Sequence, residues 1–167
     1  MDVLVLMGSA NDYDVAKRVV PLFRRFGIDA HITVASAHRT PARVESLVRQ
    51  AEADGAYGVI CFAGMAAHLA GVVAGTTHLP VIGVPLASGA LDGLDALLAT
   101  VQMPSGVPVA TMAIGPAGAS NAAVFMARVI GCTRTDVAQA LADYTAEMRA
   151  KVTDGAAKVE ALAGEGA

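Results

Sequence analysis

Ser36-Ala37-His38-Arg39-Thr40-Pro41 joins a β-like run, residues 30–35, to a segment of helical spacing, residues 41–53. Thr40 is placed to cap that helix. Pro41 suits its first turn, where the N–H that proline lacks has no partner in any case. A hydroxyl, an imidazole and a guanidinium therefore lie at the carboxyl end of a strand, the edge at which open α/β sheets bind ligands. Arginine offers a planar fork for phosphate, serine a short hydrogen-bonding arm, and histidine a proton near neutral pH. On these six residues alone a second reading stands beside the first: an ordinary helix start with a solvated Arg39 and an incidental His38.

The same strand-then-helix grammar runs through the chain on both sides. Residues 2–7 (DVLVLM) form a continuous aliphatic run, as expected of a parallel strand buried on both faces. Val15, Val19, Leu22, Phe23 and Phe26 recur at helical spacing over residues 13–26, with a kink expected at Pro21 and a stop at Gly27. Val44, Leu47 and Val48 give residues 41–53 an inward face. Residues 57–62 (YGVICF) read as the third strand, followed by a small-residue loop and a short, charge-free helix ending near Gly75. Residues 80–85 (PVIGVP) read as the fourth strand, followed by a helix from near Asp92 to about Val101. Residues 107–114 read as the fifth strand. The helix predicted over 120–130 is apolar nearly all round and is expected to be enclosed. A last helix is predicted over about 135–162, with residues 164–167 frayed. Five β-runs alternating with helices predict an α/β fold: a doubly wound parallel sheet in three α/β/α layers with a C-terminal helix. The simplest strand order is the flavodoxin-like 2-1-3-4-5. Residues 1–167 read as a single domain, with a core of about 1–131 and no linker or repeat.

Composition narrows the function. A net charge of −3 and a pI near 5.7 argue against a nucleic-acid or acidic-membrane partner. Cys61 and Cys132 lack metal-ligand spacing. Cys61 lies in an apolar run and reads as a reduced core residue of a cytoplasmic protein. The first strand begins at once, which predicts no signal peptide. No Asp, Glu, Lys or Arg falls between Asp54 and Asp92, and a second such gap spans residues 96–127. Gly and Pro interrupt both gaps too often for a membrane span of about 20 apolar residues. A sheet covered on both faces accounts for the uncharged strands but not for the uncharged helices between them, so the favoured reading is a homo-oligomer interface.

Four loops open at one edge of the predicted sheet: residues 8–12, 36–40, 63–68 and 87–92. Their small residues let backbone approach a ligand, and helix N-termini add N–H donors, which suits a phosphate monoester. Neither G-x-G-x-x-G nor a Walker lysine is present, which disfavours dinucleotides and nucleoside triphosphates. Asp12 reads equally as a ribose ligand and as a helix cap. His31 and His78 read as structural or solvated, whereas His38 and His68 each lie in a loop at the ligand edge. No metal site is predicted, and the absence of a G-x-S-x-G elbow disfavours a serine hydrolase. What remains is proton movement on a bound small molecule.

The motifs in order are MGSxxD at residues 7–12, SAHRTP at 36–41, AAHLxG at 66–71 and LPVIGVP at 79–85. LDGLDALL follows at 91–98, QMPSGVPVAT at 102–111 and AIGxAGxxNAA at 113–123. Together, over about residues 3–130, they resemble the class I N5-carboxyaminoimidazole ribonucleotide mutase family of purine biosynthesis, also called the phosphoribosylaminoimidazole carboxylase catalytic subunit. The resemblance implies a flavodoxin-like subunit of a homo-octamer that needs no cofactor, metal or ATP. An ATP-dependent carboxyaminoimidazole ribonucleotide synthetase is the implied functional partner. The implied reaction moves a carboxylate from the exocyclic nitrogen of the substrate to ring carbon C4, through released and recaptured CO2 in a water-poor pocket.

Carried over by position, His38 is the implied catalytic acid and base, and Ser9, Asp12, Ser36 and Arg39 the substrate ligands, with Asp12 on the ribose. Gly64, Met65, Ala66, His68, Ser88 and Leu91 are the implied pocket lining. Met65 stands where the family usually has Gly, Asn11 where it has Ser, and Ala70 where it has Pro. The Met65 change is expected to narrow or reshape the CO2 pocket. The alternative is the sister class II carboxylase, which uses aminoimidazole ribonucleotide and CO2 directly. That class typically carries Lys after the catalytic His and a Gly-Arg-Ser-Asn loop. Arg39 and Ala66-Ala67-His68 favour the mutases, and Ser105 leans slightly the other way. A non-catalytic nucleotide-monophosphate binding protein is the more remote alternative.

Overall fold

The computed structural model describes residues 1–165. Five parallel strands, β1 (Val3–Met7), β2 (Ala30–Val34), β3 (Gly58–Gly64), β4 (Val81–Leu86) and β5 (Ala110–Thr111), lie in the order β2-β1-β3-β4-β5. All five residues of β1 are buried, because helices cover the sheet on both sides. Val3, Val5 and Met7 join Ile60, Phe62, Ile82 and Val84 in one core, while Leu4 and Leu6 join Val59, Cys61 and Val81 in the other. That alternation follows from the two-residue period of a strand. Burial of each such aliphatic side chain contributes about 1.5–3 kcal/mol.

The first core is closed by α1 (Tyr13–Ala16), α2 (Val19–Phe26), α6 (Pro116–Gly131) and the start of α7 (Thr135–Glu165). The second is closed by α3 (Pro41–Ala53) and α4 (Leu69–Ala74). On that same side α5 (Leu94–Val101) comes so near β4 that a Cβ on Gly83 would lie 2.3 Å from Thr100 Cγ2. The three-layer flavodoxin-like architecture and strand order expected from the sequence are the ones observed.

Several boundaries differ, each for a local reason. The helix expected over 13–26 divides at Lys17 and Arg18 instead of kinking at Pro21. Restarting at Val19 puts Pro21 in the first turn of α2, where a missing N–H leaves nothing unpaired. Gly27 ends α2 at φ 65°, as expected. β5 is two residues long rather than eight. The Met112 N–H still bonds Gly83 O at 2.9 Å, but the next parallel rung requires an N–H from residue 85, which is proline. α6 begins at Pro116, earlier than expected. It is also not enclosed all round, since Phe125 is 39% exposed. α7 runs past 162 and includes Gly164, while residues 166 and 167 of the expected frayed tail lie outside the described residues.

Arg134 fastens α7 to the sheet. Its guanidinium donates to Asp2 Oδ2 and to Gly27 O, both at 3.0 Å, and pairs with Asp136. Tyr144 then packs edge-on against Phe26, with ring centroids 5.5 Å apart. Glu147, one turn on, still pairs with Arg25 of α2, and beyond it Met148, Val152, Val159 and Leu162 are exposed.

Candidate active site

β1 is flanked by β2 on one side and β3 on the other, so the chain reverses its winding direction there. Ligands of doubly wound folds bind at this switch point, outside the carboxyl ends of the strands. Met7 is in register with Val34 and with Phe62, which brings the loops after β1, β2 and β3 to one level. Between them lies a cleft of about 560 Å³, lined by all three loops and by Ser88 after β4. Such a volume suits a small ligand.

The loop after β1 is held by a reciprocal cap. The Asn11 N–H donates to Ser9 Oγ at 3.3 Å, and the Ser9 N–H donates to Asp12 Oδ2 at 2.9 Å. Ser9 caps the 3-10 turn Ala10–Asp12, while Asp12 stands at the expected cap position of α1 but turns its carboxylate back to Ser9 and makes no cap hydrogen bond to that helix. The carboxylate thus has a structural task and still lines the cleft. Burial pushes the Asp12 carboxyl above the usual range, outweighing the Ser9 N–H and the positive Arg39, which both pull it down.

The loop after β2 folds on its own hydroxyls. Thr40 Oγ1 accepts the Ser36 N–H at 2.9 Å, and Ser36 Oγ accepts the Arg39 N–H at 3.3 Å. Thr40 occupies the expected cap position of α3, but its hydroxyl turns back to the loop and makes no cap hydrogen bond. Pro41 is at the helix start as expected. The Arg39 guanidinium reaches across to donate to Gly8 O at 3.1 Å, so it lies over the end of β1.

The loop after β3 turns sharply. The Ala67 N–H donates to Met65 O at 2.9 Å and the His68 N–H to Ala66 O at 2.8 Å. His68 comes within 2.9 Å of His38, Nδ1 to Nε2, with the rings 79° apart. The two imidazoles belong to loops two strand spacings apart and meet above β1. One nitrogen of that contact holds the hydrogen and the other the lone pair. The pair can therefore take up one proton and keep its bond, but not two. That is the behaviour wanted of a group that gives and later removes a proton.

The cleft brings together Ser9, Asp12, Ser36, His38, Arg39, Gly64, Met65, Ala66, His68 and Ser88. Leu91 is not part of this lining: it lies on the 3-10 turn Gly89–Leu91 and is 59% exposed. Gly8, Asn11, Ala37, Ala63 and Leu69 also line the cleft. They sit in or beside loops that the sequence marks, but nothing in the sequence separates them from their neighbours. His38 and His68 are exposed in this chain, so the water-poor pocket implied by the resemblance is open here. His31 is exposed on the edge strand β2, and His78 lies near the opposite end of β4. Among the described residues no group of three or more His, Cys, Asp and Glu is arranged to hold a metal, and no helix is long and apolar enough to cross a membrane.

The model of the AIR carboxylase family matches residues 2–151. The chain is 44% identical over 158 residues to an N5-carboxyaminoimidazole ribonucleotide mutase of Thermotoga maritima, covering 95% of this chain and 91% of that protein. It is 48% identical over 147 residues to the mutase of Saccharolobus solfataricus, covering 88% and 92%. To that of Escherichia coli K12 it is 42% identical over 142 residues, covering 85% and 84%. Among solved structures, Treponema denticola PurE superposes with a TM-score of 0.85 at 29% identity, covering 93% of this chain and 96% of that one.

Proposed function

The chain belongs to the AIR carboxylase family, and from that membership we infer that it is an N5-carboxyaminoimidazole ribonucleotide mutase of purine biosynthesis. The carboxylate moves from N5 to ring carbon C4 and a proton moves from C4 to N5, with no change in oxidation state. The reaction therefore calls for a proton carrier and a closed space, and for neither a redox cofactor nor ATP.

The observation that carries the site assignment is the His38–His68 contact at the switch point, beside a guanidinium and three loops of mostly small residues. Arg39, Ser36 and Ser9 hold the phosphate, where a charge-assisted pair and short hydroxyl arms anchor one end of the nucleotide. Asp12 takes the ribose hydroxyls with the oxygen that Ser9 leaves free. The aminoimidazole then faces His38. The N5–carboxylate bond breaks to release CO2, its electron pair passing through N5 to C4, which takes the proton that His38 carries. His38 then takes back one C4 proton and returns it to N5, which restores the nucleophilic ring carbon. C4 attacks the CO2, and His38 removes the proton left on C4, so that the ring is aromatic again and His38 carries a proton as it did at the start. His68 accepts from or donates to His38 and so holds the reacting imidazole in one tautomer and one orientation.

The working unit is a homo-octamer in the cytoplasm. Supporting that reading, Val72, Leu91, Leu98 and Val101 are exposed within the two uncharged sections of chain, and Leu94 is exposed between them. Neighbouring subunits laid over that surface also shield a cleft that one subunit leaves open. The N5-carboxylated substrate is a labile carbamate, so its supplier is an ATP-dependent carboxyaminoimidazole ribonucleotide synthetase.

The test is a product assay without ATP. Purified protein given N5-carboxyaminoimidazole ribonucleotide is expected to form the 4-carboxy product. Efficient turnover of aminoimidazole ribonucleotide at low bicarbonate would reassign the chain to the direct carboxylases. Binding with no turnover of either substrate would leave a nucleotide-binding protein.

A further inference from the structure

Met65 combines two properties that do not ordinarily meet. Its φ is +55°, a left-handed conformation that costs a side-chain-bearing residue free energy, and it lies in the lining of the cleft. Strain of this kind persists only where the surroundings enforce it, and it collects at functional positions. Met65 stands at the start of the turn in which the Ala67 N–H donates to Met65 O, the same turn that delivers His68 to His38.

The side chain is the second half of the observation. Most of the cleft is lined by Gly, Ala, Ser and polar groups, and Leu69 is buried beneath it. Met65 is 60% exposed, which makes it the one long apolar side chain of the lining that is free to move. It does not hang into solvent unsupported. Its Cγ lies 3.8 Å from where a Cβ of Gly89 would be, on the loop after β4, a van der Waals separation. Met65 thus reaches from the β3 loop towards the β4 loop, just outside the place where Gly64 and Ser88 come together. A thioether chain with three rotatable bonds can shift across such a gap without rearranging the backbone.

Resting on the mutase reading, we propose that Met65 is the retention residue of the site, a hinged apolar cover that decides how often the released CO2 escapes before C4 recaptures it. CO2 carries no net charge and needs no strong hydrogen-bonding partner, so an apolar side chain excludes water without trapping the molecule. The left-handed backbone turns that chain over the base end of the cleft.

The experiment follows the carboxyl carbon. N5-carboxyaminoimidazole ribonucleotide labelled with 13C in its carboxylate is turned over in unlabelled bicarbonate, with spontaneous decarboxylation subtracted. Two quantities are read: the label kept in the 4-carboxy product, and the share of turnovers that end in decarboxylated aminoimidazole ribonucleotide. Met65→Ala keeps a Cβ at the strained position and removes the cover, while Met65→Gly removes both. Both variants are expected to leak several-fold more than the parent, and Met65→Leu to stay near the parent value. Leakage unchanged in both Ala and Gly variants would overturn the proposal. Leakage raised in the Gly variant alone would assign the effect to the backbone and overturn it as well. Failure of the parent protein itself to form the 4-carboxy product would instead overturn the reading on which the proposal rests, so the two failures are distinct.

Discussion

His38 and Asp12 carry the two sharpest expectations about single side chains. Replacing His38 with Asn keeps a polar side chain of similar reach but removes the titratable nitrogen. Turnover is expected to fall by about 10² to 10⁴, the usual range for a positioned acid–base group, while the affinity for a non-reacting ribonucleotide measured by calorimetry stays near the parent value. Asp12 is a case of burial prevailing over its partners. Its folded-state pKa is raised, so the stability linked to its proton is present at low pH and lost as pH rises through that pKa. Above that pKa the ionised, half-buried carboxylate is therefore a net cost to folding. Asp12→Asn is expected to melt at or above the parent temperature at pH 7. That advantage shrinks as the pH is lowered through the raised pKa, while ligand affinity falls at every pH. A lower melting temperature for the variant at pH 7 would show that the Ser9 hydrogen bond matters more than the burial. The interior Cys61, whose thiol burial pushes up, takes no part in this chemistry.

Elements here end where single residues force them to. Pro85 stops β5 by withholding an N–H that the ladder needs, and Pro21 is harmless because the helix restarts just ahead of it. Gly118 shows the same dependence in packing. A Cβ there would lie 1.7 Å from Ala113 O, because α6 crosses directly over the chain leaving β5. Backbone cannot yield as a flexible side chain does. Gly118→Ala is accordingly expected to destabilise the fold by about 1–3 kcal/mol, read as a lowered denaturation midpoint. Because no residue of α6 or β5 lines the cleft, the same variant is expected to keep its ligand affinity under conditions where it remains folded.

The molecule as a whole leaves a good deal of apolar surface uncovered. Leu94, Leu98 and Val101 stand one turn apart along α5, all about half exposed, with Val72 exposed on α4. A lone soluble domain rarely presents such a face, and the two helices that carry it hold a single charged residue, Asp95. Leu98→Asp is expected to shift the mass measured by light scattering towards smaller species. The variant is also expected to lose turnover, since subunits that separate leave the cleft open to water. A variant that keeps the parent mass would remove this face from the interface.

Alternation of apolar runs with helical spacing was enough to read the three layers from the sequence, because a buried parallel strand and an amphipathic helix each leave their own period in the residues, whereas the strand order came from the simplest doubly wound arrangement of five strands. The motif loops were legible for the same reason: Gly, Ser, His and Arg cannot be explained by burial at the end of an apolar run. What the sequence could not convey was distance across the sheet. His38 and His68 are separated by 30 residues and by a whole strand, and only the stacking of β2, β1 and β3 brings their nitrogens to 2.9 Å. Leu91 shows the converse, a residue in a marked loop that the tertiary structure leaves outside the cleft. The left-handed turn at Met65 was likewise invisible, because backbone dihedrals at a loop are set by the partners that close it and not by the residue's own preference.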